Sequence, residues 1–334
     1  MNPRIITKDE LNRLIDQLIN TTKVYAPVRD KTGARWAKIS SSTEVYLEEV
    51  NTRDPAKGFF FPRCELLLKF DQQGCPVEPE PPGATVVFGI RPCDARGLEF
   101  IKKFYTGQDR NDPYVRARVE QTVLIGVACS QPAPTCFCLA VGGSPHSQTG
   151  LDLLLIDLGN AYLAQPVSEK GEELSRTYPE ADERSLKLAS ELREKVEAEI
   201  RTRIDTERLL AILKDGFNSA VWAELSKRCV NCGICTLLCP TCHCFDITDE
   251  SVRGKVARYR VWDSCQFPFY SRHASGHNPR FSPSSRFRNR VMDKFYYTVE
   301  QVGEISCVGC GRCSANCPAG INICQTVQEI METK

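Results

Sequence analysis

The sequence carries almost no net charge: 43 Lys and Arg stand against 42 Asp and Glu, a formal +1. A chain so balanced has no global electrostatic signature of nucleic-acid binding, of a membrane surface or of a polyanionic substrate. Long apolar runs are also missing. The most apolar stretches, 84–90 and 151–158, have the length of a strand and fall far short of the ~18 residues of a spanning helix. The segment from Met1 to Asn20 mixes charge with Leu11, Leu14, Ile15 and Leu18 at helical spacing and has no leader-like apolar core or small-residue cleavage site. No export is expected, and the localisation reads as cytoplasmic. Histidine is scarce, with only His146, His243, His273 and His277, and there is no G-x-G-x-x-G after a strand, no P-loop and no H-E-x-x-H. The chain is therefore read as having no nicotinamide, flavin or substrate site of its own.

Cysteine is what the sequence has in excess, 18 of 334 residues. A chain of this length, 42% hydrophobic, buries a core without disulfides, so in a reducing compartment its clustered thiols read as metal ligands. Residues 1–170 alternate short apolar runs with turn-rich segments. Strands are expected at 84–90, 122–128, 152–157 and 161–167, with a short helix carrying Leu98, Ile101, Phe104 and Tyr105 between the first two. Residues 171–222 read as a helical bridge, with one charged amphipathic helix from Ala181 to about Ile204 and another helical stretch from Leu209 to Leu225. The fold class expected is α+β: an N-terminal mixed α/β domain (1–170), the bridge, and a helical, ferredoxin-like dicluster domain (223–334).

The C-terminal third holds the chemistry. Cys229-Val-Asn-Cys232-Gly-Ile-Cys235-Thr-Leu-Leu-Cys239-Pro240 is C-x2-C-x2-C-x3-C-P, and Cys307, Cys310, Cys313, Cys317 and Pro318 repeat it. One such run indicates a [4Fe-4S] cluster and two indicate two. Three thiolates on a tight loop cap three irons of a cube, and Gly233, Gly309 and Gly311 let backbone N–H groups approach its sulfides. In two-cluster ferredoxins the fourth cysteine ligates the other cluster. Cys229, Cys232, Cys235 and Cys317 are thus assigned to a first cluster, and Cys307, Cys310, Cys313 and Cys239 to a second. A pair of zinc sites is the alternative, but each run over-supplies a two-cysteine zinc knuckle.

A third set lies in the first domain. Cys93 follows the 84–90 strand, Cys129 follows the 122–128 strand, and Cys136-Phe-Cys138 comes soon after. Parallel pairing of those strands gathers all four thiols at one sheet edge, where α/β domains place function. A third [4Fe-4S] cluster on Cys93, Cys129, Cys136 and Cys138 is one reading, and ordinary buried cysteines are the other. Cys64, Cys75 and Cys324 are isolated and read as plain thiols. Cys242, Cys244 and Cys265, with His243, offer an additional metal three cysteines but no clear fourth, and their role stays open.

Between Ser251 and Lys294 ten basic residues, among them Arg253, Arg258, Arg260, Arg280, Arg286, Arg288 and Arg290, face only Asp263 and Asp293. With the aromatics Tyr259, Trp262, Phe267, Phe269, Tyr270 and Phe287 the stretch admits a nucleic-acid reading. The simpler one is that cations beside the cysteine runs offset the clusters' charge. Each oxidised cubane with four thiolates carries about −2, so three would shift the +1 of the polypeptide to roughly −5.

Taken together, these residues resemble a known family: the iron–sulfur beta subunits of sulfhydrogenases, the corresponding iron–sulfur subunit of anaerobic sulfite reductase, and its equivalent in flavin oxidoreductase and heterodisulfide reductase assemblies. The resemblance covers most of the chain. It rests on Gly89-Ile-Arg-Pro-Cys-Asp94, Asp112-Pro-Tyr114, Cys129 with Cys136-Phe-Cys138, Gly150-Leu-Asp-Leu153, the C-P-T-C-x-C stretch ending at Cys244, Trp262-Asp-Ser-Cys265, Gly276-His-Asn-Pro-Arg280 and the final cysteine run. It implies an electron-transfer subunit, without membrane insertion or nucleic acid, that binds two partners, a flavin/NAD(P)H-binding subunit plus a catalytic oxidoreductase subunit. A nucleic-acid-binding protein with structural clusters and a stand-alone reductase acting at the N-terminal cluster are the competing functions.

Overall fold

The computed structural model describes every residue except 72, 108, 109, 253, 254 and 334, and only the backbone of Val252 and Lys255. Among the described residues the strands are β1 (Arg4–Thr7), β2 (Lys23–Asp30), β3 (Gly33–Lys38), β4 (Cys64–Phe70), β5 (Pro76–Val77), β6 (Thr85–Ile90), β7 (Thr122–Val127), β8 (Leu153–Asp157), β9 (Ala161–Pro166), β10 (Phe245–Val252) and β11 (Lys255–Trp262). They form two sheets, β1-β9-β8-β7-β6-β2-β3 and β10-β11-β4-β5.

In the larger sheet β2, β6, β7 and β8 run parallel, and β3, β9 and β1 pair antiparallel to their neighbours. The near-continuous apolar runs of β6, β7 and β8 follow from cover on both faces. On one face helix Lys8–Thr21 sets Leu11, Leu14 and Ile15 against Val86, Phe88, Ile125 and Leu153. On the other, helix Pro92–Thr106 sets Leu98, Ile101 and Tyr105 against Val87, Ile90, Leu124 and Leu154. That helix starts earlier than its apolar spacing suggests, at Pro92, whose missing N–H and fixed φ suit a first turn. The four strands read from the sequence are all present, as is a helix at Glu183–Glu199. The stretch 209–225 is two helices, Thr206–Asp215 and Val221–Ser226, separated at Gly216.

The third core gathers Leu209, Leu213, Trp222, Val291, Phe295 and Val327, and Phe137 and Val141 reach into it from the N-terminal domain. The segment between the two cysteine runs, expected to be helical, opens instead as the β10–β11 hairpin. Its Val256, Tyr259, Val261 and Trp262 favour a pleated surface, and Asp249 and Arg258 pair directly across it at 2.7 Å. β11 then adds to β4, so one sheet draws strands from both residues 64–77 and residues 245–262. Helix Pro283–Met292 continues through a π-type turn, Asp293–Tyr297, that carries Lys294 inward. No helix among the described residues is long and apolar enough to cross a membrane.

Candidate metal centres

β6 and β7 are parallel neighbours with Ile90 level with Gly126, so both open at the same sheet edge. Cys93, in the first turn after β6, and Cys129, two residues beyond β7, meet there. Cys136 and Cys138 join them, and all four line one cavity with Pro132 and Ile200 on its wall. Burial pushes the Cys129 thiol up to about 11 and Cys138 up to about 12.

The two C-terminal runs are built alike. In each, a glycine with positive φ, Gly233 (77°) or Gly311 (73°), turns the loop into a short helix, Ile234–Leu237 or Arg312–Ala315. Cys229, Cys232, Cys235 and Cys317 line a second cavity, of about 50 Å³, walled by Phe287, Val291 and Ile321 with Arg290 beside them. The fourth cysteine of one run thus stands with the first three of the other. Reciprocally, the charge of Cys239 acts on both Cys307 and Cys310, as does that of Cys313.

The second cysteine run borders both cavities. Cys313 also borders the Cys229 cavity and Cys310 borders the Cys93 cavity, so the 307–313 loop separates the outer two. The loop is locked to the N-terminal domain. The Phe137 N–H donates to the Gly309 carbonyl at 2.8 Å and Asn51 Nδ2 to the Cys310 carbonyl at 3.0 Å. A Cβ on Gly309 would lie 2.5 Å from the Cys138 nitrogen, and one on Gly311 2.4 Å from the Thr135 carbonyl oxygen, so the approach requires glycine at both. Beside them Arg312 grips Asp94, the neighbour of Cys93, through two bonds of 2.8 and 2.6 Å, and its Nε donates to the Thr52 carbonyl. Arg312 and Asp94 are 3% and 1% exposed.

Buried cations lie between the two C-terminal cysteine runs. Lys57 Nζ donates to the Cys242 and Thr236 carbonyls at 2.9 and 3.3 Å and lies 4.0 Å from the Trp262 ring centre. Arg290 Nη1 is 3.8 Å from Cys242 Sγ, and Lys294 contacts Asp293, Thr241 and Ser306. Among the described residues neither Lys57 nor Arg290 has a carboxylate partner within 4.0 Å. Burial drops Lys57 to about 8, against the pull of Cys242 and Cys239. Burial also opposes the charge on Arg290 and Lys294, yet surrounding thiols, with Asp293 for Lys294, hold both firmly cationic. Cys239 is held well below the usual thiol range, first by its bond from Cys242 and then by Lys294 and Arg290. A buried cation without an anion is expensive, so this neighbourhood requires negative charge among the thiols.

The donor sets fit [4Fe-4S] clusters: four soft thiolates to a set, apolar walls, and cations to balance a cluster's net negative charge. No three His, Cys, Asp or Glu side chains among the described residues converge tightly enough to share a single ion. The Cys93 and Cys229 sets stand around cavities, whereas tetrahedral zinc draws its ligands to about 2.3 Å from a point.

The other candidates fall outside these sets. Cys242 lies beside Cys239, and Cys244 faces Cys265 and Tyr270 at the mouth of the β10–β11 hairpin. His243 stacks on Phe104 with ring centres 3.8 Å apart, so these three thiols and His243 are not brought to one point. Cys324 packs in the third core, while Cys64 and Cys75 are exposed. Of the basic stretch, Arg258 pairs with Asp249, Arg260 with Glu65 and Asp112, and Arg286, Arg290 and Lys294 are buried; Arg253 lies outside the described residues. Lys57, Asp94 and Arg312 escaped sequence reasoning. Arg312 sits inside a cysteine run and was visible by position, but nothing in the spacing marks Lys57, which folds in from 179 residues before Thr236.

The doubled cysteine run and its geometry define a dicluster iron–sulfur protein, and residues 228–321 match the 4Fe-4S dicluster domain. Sulfhydrogenase 2 subunit beta of Pyrococcus furiosus is 33% identical over 322 residues, 95% of either chain. The chain belongs to this family of sulfhydrogenase beta subunits and is an iron–sulfur electron-transfer subunit, as the motif resemblance implied. No solved structure gives a significant match.

Proposed function

We propose that the chain relays electrons through three [4Fe-4S] clusters, held by Cys229, Cys232, Cys235 and Cys317, by Cys307, Cys310, Cys313 and Cys239, and by Cys93, Cys129, Cys136 and Cys138. The observation that carries this is the gathering of two four-thiol sets around separate cavities, with Cys310 and Cys313 of the second run bordering one each. When bound, such clusters supply one-electron exchange. The thiolates hold them, Lys57 and Lys294 favour the more negative, reduced form of the middle centre, and Arg290 does the same for the middle and Cys229 centres.

The relative is a subunit of a sulfhydrogenase. By extension, this chain works between two partners, a flavin/NAD(P)H-binding subunit on one side and a catalytic subunit of hydrogenase, sulfite reductase or heterodisulfide reductase type on the other. Burial or ion pairing of five of the eight basic side chains described in that stretch speaks against nucleic acid. Anaerobic affinity purification from the native cell tests the assignment. A flavoprotein and a catalytic oxidoreductase subunit should co-purify in fixed ratio, and a chain that is recovered alone with its clusters intact refutes it.

A further inference from the structure

The Cys229 set is the outermost of the three. Cys232 is exposed and Val230 beside it is 65% exposed, whereas Cys310 in the middle set is buried. The loop from Phe267 to Phe281 is mounted on this set. A Cβ on Gly233 would lie 2.6 Å from the Phe267 ring, so loop and cysteine run are in intimate contact. Asn278 stiffens the loop, donating to the Pro268 carbonyl at 2.6 Å and accepting from Ser271 Oγ and the Arg280 N–H; Arg286 donates to the Phe281 carbonyl at 2.7 Å. Held out from this scaffold are Phe269 and Phe281, 73% and 77% exposed.

The segment's own charge has one sign. From Ser264 to Met292 there is no Asp or Glu, while Arg272, Arg280 and Arg288 occupy the same segment and Arg228 precedes Cys229. Arg272 is exposed with its guanidinium 6.0 Å from the Phe269 ring, and Arg228 is exposed as well.

We propose that this face docks an acidic one-electron carrier protein, which exchanges electrons with the Cys229 set. The proposal rests on the electron-transfer function above. Exposed Phe269 and Phe281, with exposed Arg272 beside Phe269 on a segment free of carboxylates, suit a small, transient protein contact in which anchors bury and charges steer. A second copy of the chain would oppose like charges across the same face. A nucleic acid needs a track of free cations along its phosphates, and burial or pairing removes five of the eight basic side chains described in the stretch. The step is balanced as a single electron passed across the contact: the carrier's centre is oxidised by one electron, the cluster reduced by one, and no bond forms or breaks.

The test uses the anaerobic, cluster-loaded chain mixed in stopped flow with a reduced plant-type [2Fe-2S] ferredoxin as the acidic carrier and, separately, with reduced methyl viologen. The ferredoxin rate constant should fall as salt rises. In the variant Arg272→Glu with Phe269→Ser it should drop at least about tenfold at low salt, with iron content and the viologen rate unchanged. A ferredoxin rate indifferent to both salt and substitution overturns the docking surface. So does an RNA oligonucleotide that competes with ferredoxin for the wild type, or self-association that the variant abolishes. A chain without iron, or one that viologen does not reduce, overturns the electron-transfer function itself and this surface with it.

Discussion

The Asp94–Arg312 pair joins the Cys93 turn to the 307–313 loop, and its removal has a calculable consequence. Both side chains are almost fully buried and meet in two parallel bonds of 2.8 and 2.6 Å. Removing one partner of such a pair costs about 3–5 kcal/mol, because the survivor is left as an uncompensated buried charge. The two halves should not respond equally. In Asp94→Asn the guanidinium keeps its Thr52 bonds and sits near thiolates of Cys310 and Cys93 that offset its charge. In Arg312→Leu the Asp94 carboxylate remains among those same thiolates with no cation, so this variant should be the worse. At about 2 °C per kcal/mol for a chain of this size, Asp94→Asn should lower the apparent unfolding temperature by roughly 6–10 °C. The double variant Asp94→Leu with Arg312→Met, which leaves no orphan charge, should be milder than Arg312→Leu. The assay is anaerobic thermal unfolding of the loaded chain, with iron counted before and after. Wild-type stability in Asp94→Asn, or a milder loss in Arg312→Leu than in Asp94→Asn, would refute the reasoning.

Lys57→Met, which takes a cation from beside the Cys239–Cys242 pair, should make the middle centre harder to reduce without changing iron content; a redox titration followed by EPR checks it, and an unmoved potential would remove Lys57 from the tuning role. Cys138→Ser should lose about four irons per chain, whereas Cys265→Ser should lose none, since Cys265 lies with Cys244 outside the three sets; elemental analysis of the two variants decides. Gly309→Ala should disturb both the middle and the N-terminal centres, because its Cβ would strike the Cys138 backbone at 2.5 Å. EPR signals confined in their change to one centre would contradict that.

Much of this arrangement was legible in the sequence for a physical reason. Cluster loops are local: C-x2-C-x2-C writes its geometry into spacing, and the placing of Cys317 beside Cys229, Cys232 and Cys235 follows from the turn that carries the fourth thiol away. The N-terminal set was legible one step further, since apolar runs marked β6 and β7 as buried strands and parallel pairing brings Cys93 to Cys129. Two things were not. The β10–β11 hairpin was masked because its alternation is interrupted by charges whose partners, Glu65 and Asp112, lie on distant elements. The charge-bearing interior was hidden for the same reason: Lys57, Asp94 and Arg312 meet their neighbours only after the chain has folded, across separations such as 218 residues between Arg312 and Asp94. Several residues that carried the family resemblance act as interior struts. Asp112 caps helix Pro113–Gln121 and Trp262 Nε1 donates to the Phe61 carbonyl.

The central claim, three four-iron centres in one chain, is tested most directly by metal analysis of the anaerobically purified chain combined with EPR of its stepwise reduction. The expected result is about twelve irons per chain, no zinc, and interacting signals in which the middle centre couples to both of the others. About eight irons would remove the Cys93 set, and zinc in place of iron would contradict the whole arrangement.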